Sequence, residues 1–136
     1  MRKISFALGL LPLSMSFLAF ADPAAQIRIE HPGDTALSEE SPGKFVYKSF
    51  PGLAHLYVYD KDSPGKSECN EGCDSAWRPL LVSAGETSTK VGDWSILRRA
   101  DGRRQWAYKG MPVYLRFHDL PPDDDTEKQG FHLLVP

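Results

Sequence analysis

Leu56-Tyr57-Val58-Tyr59-Asp60-Lys61-Asp62-Ser63-Pro64 is echoed by Val113-Tyr114-Leu115-Arg116-Phe117-His118-Asp119-Leu120-Pro121. In both runs an apolar residue and a tyrosine open a β-prone stretch, an aspartate follows five positions after the tyrosine, and a proline comes two later. An aromatic and an apolar residue then recur at a distance, Trp77 with Leu80 and Phe131 with Leu134. Two such copies predict a duplicated strand-loop-strand unit with pseudo-symmetry, the first at about residues 53–83 and the second at about 110–136.

Working outward, the remaining signals are short strands and tight turns. Residues 94–99 and 104–108 flank Asp101-Gly102, a strong hairpin signal. Residues 45–50 and 54–60 flank Pro51-Gly52, Lys109-Gly110 turns the chain into residues 113–115, and residues 131–135 offer a last strand. Residues 73–77 suit one short helical turn before Pro79. No apolar pattern of helical period runs for ten residues beyond the N-terminal region. The expected fold is therefore mainly β, a small antiparallel β domain over residues 45–136 with two degenerate strand-loop-strand repeats and one short helical segment. Residues 22–44 are rich in Pro, Gly, Ser, Asp and Glu and read as a flexible leader with room for one short strand.

The N-terminus sets the expected location. Arg2 and Lys3 precede an apolar run over residues 4–18, and Ala19-Phe20-Ala21 fits the small-x-small cleavage pattern. Residues 1–21 therefore read as a cleavable signal peptide, and Pro12 breaks a run that is already short for a membrane anchor. No Cys ends the apolar region, so no lipid-anchor site is expected. Cleavage leaves a periplasmic or secreted domain of 115 residues with no stable membrane span. It removes two basic residues and no acidic one, taking the net charge from −2 to −4. Such a domain lacks the basic face that nucleic acid requires.

Cys69 and Cys73 are the two cysteines of the chain. In an oxidising compartment they are expected to pair, and C-x3-C spacing brings Cα atoms within reach where the segment turns. A loop this small adds about 2 kcal/mol of loop entropy at most. A redox couple or a copper site are the alternatives for the same pair.

With those residues in view, the sequence resembles the bacterial secreted-repeat family, predicted lipoproteins with a Y-x-[FWY]-x-x-D motif. Tyr57-Val58-Tyr59-Asp60-Lys61-Asp62 fits that motif at every specified position. The resemblance continues through Pro64-Gly65-Lys66-Ser67, Cys69 and Cys73, Ala76-Trp77-x-Pro79-Leu80, Gly92-Asp93-Trp94, Arg99-x-Asp101-Gly102 and Gln105-Trp106-Ala107-Tyr108-Lys109-Gly110-x-Pro112. It implies export and a repeat structure; the family has no assigned function and brings no catalytic residue. The motif positions to follow are Tyr57, Tyr59, Asp62, Trp77, Asp101, Gly102, Gln105, Trp106, Tyr108 and Tyr114. The second repeat departs from the pattern, with Arg116 at the aromatic position and Phe131 where relatives have Trp. Many relatives also carry a lipidated Cys after the signal.

Other chemistry is thinly signalled. Asp60, Asp62 and Gly65 resemble the start of a calcium loop, but Pro64 spoils its fifth position. His118 and His132, joined by Met111, are the candidate ligands for copper or haem iron, and no C-x-x-C-H sequence exists for covalent haem. The run Asp123-Asp124-Asp125 with Glu127 reads as a solvated loop. The aromatics read first as core and cross-strand partners, second as the lining of a ligand cleft. No nucleophile elbow, phosphate loop or zinc-protease helix is present. The sequence therefore points to a non-enzymatic exported module that binds an envelope protein or a small ligand, with no resident cofactor expected. The rival reading is a periplasmic metal- or haem-handling redox protein built on Cys69/Cys73 or His118/His132.

Overall fold

The computed structural model describes residues 29–136 apart from 71, 72, 74 and 75; the expected signal peptide at 1–21 lies outside the described residues, as does 22–28 of the leader. The chain is mainly antiparallel β. Its strands are β1 (Thr35–Ser41), β2 (Lys44–Ser49), β3 (Leu56–Tyr59), β4 (Trp77–Pro79), β5 (Lys90–Val91), β6 (Trp94–Arg98), β7 (Arg104–Tyr108), β8 (Met111–Arg116) and β9 (Phe131–Leu133), with one short helix, α1 (Asp124–Lys128). A two-stranded ribbon, β1–β2, accompanies a seven-stranded sheet in the order β5-β6-β7-β8-β3-β9, with β4 on the free part of β8.

The two echoing runs form the centre of that sheet. β3 and β8 pair antiparallel with Tyr57 opposite Tyr114. On the outer side of β3, Tyr57 faces Leu133 and Tyr59 faces Phe131. On the outer side of β8, Tyr114 faces Pro79 and Arg116 faces Trp77. Each repeat thus lends its second strand to the first strand of the other, in the same register. The main chain keeps the match: Leu134 N–H donates to Leu56 O at 2.8 Å and Leu80 N–H to Val113 O at 2.9 Å. The repeat is a pseudo-twofold axis through the Tyr57–Tyr114 pair.

Alternation along these strands sends side chains to two cores. Leu56, Val113, Leu80 and Leu134 join Tyr47, Trp94, Trp106 and Tyr108 on one side. Tyr57, Tyr114, Trp77 and Phe131 join Cys69 on the other. The hairpin between β7 and β8 turns on Lys109 (φ 48°) and Gly110 (φ 84°), the two positive φ values that a tight hairpin needs. A Cβ at Gly110 would sit 3.3 Å from Pro64 Cβ, so glycine also admits the loop of the first repeat here.

The helical turn expected at residues 73–77 falls partly outside the described residues, 74 and 75 among them. The acidic run expected as a solvated loop is corrected, since it holds the α-helix Asp124–Lys128. Asp123 caps it, accepting from Thr126 N–H while the Thr126 hydroxyl receives the Asp123 N–H. Acidic residues in its first turn and Lys128 in its last suit the helix dipole. The segment 22–44 also contains β1, so strand pairing starts well before Phe45. Leu37 opposite Tyr47 gives β1 its apolar contact with the core.

Asp34, just before β1, makes that segment integral. Its carboxylate receives the Trp106 indole N–H at 2.8 Å, the Ser83 N–H at 3.0 Å and the Ser83 hydroxyl. Burial alone raises its pKa, yet these donors outweigh that effect and hold it below the usual carboxylate value. The stabilisation is thus complete above about pH 4 and fades as pH falls through the lower folded pKa. Asp34→Asn is expected to lose about 1–2 kcal/mol at neutral pH, because the buried indole N–H loses its charged acceptor. Urea unfolding should show the gap between variant and wild type narrowing as pH falls below about 4.

Candidate functional site

Most of the motif residues fall into a buried polar lock, a ring stack and the opposite core, while Asp101 and Gly102 lie on an exposed turn. In the lock, Asp62 is buried; its Oδ2 accepts from the Tyr114 hydroxyl and its Oδ1 from Glu68 N–H, both at 2.6 Å. Ser67 Oγ lies 2.6 Å from the Tyr114 hydroxyl and receives Arg99 Nη1 at 3.2 Å. Arg99, 5 % exposed, also donates Nη1 to Gln105 Oε1 at 2.7 Å and Nη2 to Cys69 O at 2.9 Å. Gln105 completes the chain by donating Nε2 to Val113 O at 2.8 Å. Burial pushes the Asp62 carboxyl above its usual value despite the Tyr114 and Glu68 donors, and pushes the Tyr114 hydroxyl up as well.

The closing aspartate of the family motif thereby acquires a structural role: Asp62 of one repeat binds the tyrosine of the other. The reciprocal arrangement differs. Tyr57 is fully buried, its hydroxyl has no hydrogen-bond partner among the described residues, and burial raises its pKa to about 12. Arg116, at the place of Tyr59 in the second repeat, instead ties down the α1 loop through Pro121 O, Asp123 and Thr126. Tyr59, Phe131 and Trp77 form a continuous stack, with centroids 4.3 Å and 3.8 Å apart and planes within 13° and 8°. Trp77 Nε1–H reaches Gln129 Oε1 at 3.1 Å.

Cys69 and Cys73 form a disulfide with Cα atoms 5.2 Å apart. Cys69 O takes Arg99, and Cys73 O takes Trp77 N–H at 3.3 Å, so the bridge fixes the entry to β4. Trp106 and Tyr108 lie in the opposite core, and Asp101-Gly102 forms the β6–β7 turn, where Asp101 receives both Arg103 N–H and Nε–H. Arg99 escaped the sequence reading as a site residue; its signal was the Arg99-x-Asp101-Gly102 run itself, a charged residue where β6 should still face the core.

The metal candidates are dispersed. Asp60 pairs with His132 at 2.8 Å on the surface while Asp62 turns into the core, so the two do not form a shared calcium shell. Met111 opens β8 and His118 follows its far end, about 17 Å away at strand rise. His132 is level with Val58 on β9. Among the described residues no three His, Cys, Asp or Glu side chains gather as a metal site.

A groove of about 460 Å³ lies between the β1–β2 ribbon and the end of the chain. Phe45, Val46, Leu133 and Val135 supply its apolar lining, with Glu40 and Lys44 among its polar residues. Phe45 and Val135 are 40 % and 54 % exposed. None of these residues belongs to the motif.

Fold and site together define a small disulfide-bridged β domain with a packed polar lock. Residues 95–129 match the model of a family described as a secreted repeat of unknown function, the family that the motifs resemble. That span runs from β6 through α1. No curated protein and no solved structure matches the chain. Among the described residues no helix is long and apolar enough to cross a membrane.

Gln105→Leu should cost about 2–4 kcal/mol, since it leaves the Arg99 guanidinium and Val113 O short of a partner inside the core. Tyr114→Phe should cost about 1–2 kcal/mol. Because Arg99 and Ser67 link the two sites, chemical denaturation of the double variant should show a loss smaller than the sum of the single ones.

Proposed function

We propose that this chain is an exported, non-enzymatic interaction module of the bacterial envelope, and that the groove between the β1–β2 ribbon and the C-terminal strand is its binding surface. The observation that carries the reading is the contrast between the two kinds of site. The residues whose pKa burial raises, Asp62 and Tyr114 among them, are sealed in the core, and these two are spent on one another, as structural networks are. The groove is open, mainly apolar and edged by charge, the profile of a contact surface. Export is supported by the N-terminal sequence and by the secreted description of the matched family.

The redox rival loses support from the bridge. Cys69 is 2 % exposed and packs with Tyr57, Tyr114 and Trp77, so a metal held by both thiolates would have to open the second core, while Cys73 is the half-buried end of the bridge. On the proposed reading, thiol titration of the native exported protein finds no reactive cysteine. Two accessible thiols would favour the redox reading instead.

The groove itself is tested with the fluorescent probe 1-anilinonaphthalene-8-sulfonate. Wild type should enhance its emission, and the double variant Phe45→Asp, Val135→Asp should lose most of that enhancement. Both side chains are exposed, so the melting temperature should move by only about 2–4 °C. Equal emission from the two proteins would remove the groove from consideration.

A further inference from the structure

We propose that the groove takes an extended polypeptide segment by strand addition, apolar in sequence and carrying a carboxylate for Lys44; this deepens the groove reading above and rests on it. The argument begins with backbone groups. In β2, Tyr47 N–H leaves its partner β1 and donates to Leu134 O at 3.0 Å, and Ser49 N–H donates to Ala54 O at 2.8 Å. Alternate residues of an antiparallel strand aim their N–H and C=O at the same edge. Phe45, next in that row, therefore directs both groups away from β1, opposite Glu39 in a pair without ladder bonds.

The other wall follows the same rule. Leu134 N–H donates to Leu56 O, and Asp60 N–H donates to Gly130 O, so the even positions of β9 serve β3. Phe131 and Leu133 then turn their main-chain groups outward. Leu133 lines the groove together with Phe45. Two unpaired strand edges thus border one apolar cleft, and an unpaired edge is a template for another chain.

Side chains and charge narrow the occupant. Phe45 and Val135 stand about half exposed on the cleft and offer contacts for alternate apolar side chains of an added strand. Glu40 is already held by Lys48 at 2.8 Å and His55 at 2.7 Å, and those partners keep its carboxyl below the usual value. Lys44 is exposed and has no ion pair among the described residues. Among the side chains of this cleft the spare charge is therefore positive. An apolar segment with one acidic residue complements it.

The probe is an acetylated, amidated hexapeptide of alternating valine and threonine ending in aspartate. It is compared with a twin ending in lysine and with a copy N-methylated at alternate amides. Titration into isotope-labelled protein should shift the Phe45 and Leu133 amide resonances and slow their hydrogen exchange about tenfold. The N-methylated copy, with the same side chains, should bind at least about tenfold more weakly, because it cannot donate to the edge. Lys44→Glu should turn the preference toward the lysine twin by about fivefold, as expected of a rim charge. Equal binding of the N-methylated copy would overturn strand addition and leave the groove standing. So would probe fluorescence without any peptide binding. Loss of both peptide and fluorescent-probe binding would overturn the groove reading along with this one.

Discussion

A guanidinium buried in a domain this small must be met by acceptors, and those gathered around Arg99 organise the chain. An unpaired charge in the core would cost several kcal/mol. Arg99 avoids that by drawing in Ser67, Gln105 and the carbonyl of Cys69, while Nε keeps Asp101 Oδ2 at 3.8 Å. Each partner comes from a different part of the chain: the loop after β3, strand β7 and the disulfide. Gln105 then grips Val113 on β8, and Ser67 reaches Tyr114, which reaches Asp62. One charge therefore fixes how the first repeat's loop lies over the second repeat's strand.

The pseudo-twofold pairing explains why so polar a centre can be kept. Tyr57 and Tyr114 meet at the axis, and each repeat supplies the outer strand of the other, so neither half closes its own sheet. Symmetry is kept in the backbone and broken in the side chains. The first loop uses Asp62 to hold a tyrosine. The second uses Arg116 to hold a capped helix. A departure that reads as degeneracy in the sequence is thus a second solution to covering the same sheet face.

This division bears on function. The family match over residues 95–129 covers β7, β8 and α1, with Arg99, Gln105 and Tyr114 of the lock. The groove lies elsewhere, on residues 40–46 of the β1–β2 ribbon and residues 133–136. The proposed docking surface is therefore sought outside the motif residues, which are occupied with folding.

The sequence by itself determined the strands, because alternation and turn chemistry are local. Asp101-Gly102, Lys109-Gly110 and the two tyrosine runs each state their geometry within a few residues. It also determined the duplication, since two copies of one pattern require two copies of one structure. It placed Cys69 and Cys73 within bonding range. What only the tertiary structure decided are matters of convergence. Asp34 binds Trp106 across 72 positions and Tyr114 binds Asp62 across 52, separations at which no local pattern survives. The segment 22–44 reads as a leader because its residues show no local pattern; polar Asp34 and apolar Leu37 find their partners only at a distance, on β7 and β2. The helix at Asp124–Lys128 was hidden because acidic residues signal solvent until Asp123 and Thr126 are seen as a cap. Arg99 read as one more charge on a hairpin, and only packing revealed it as the group around which the repeats are fastened.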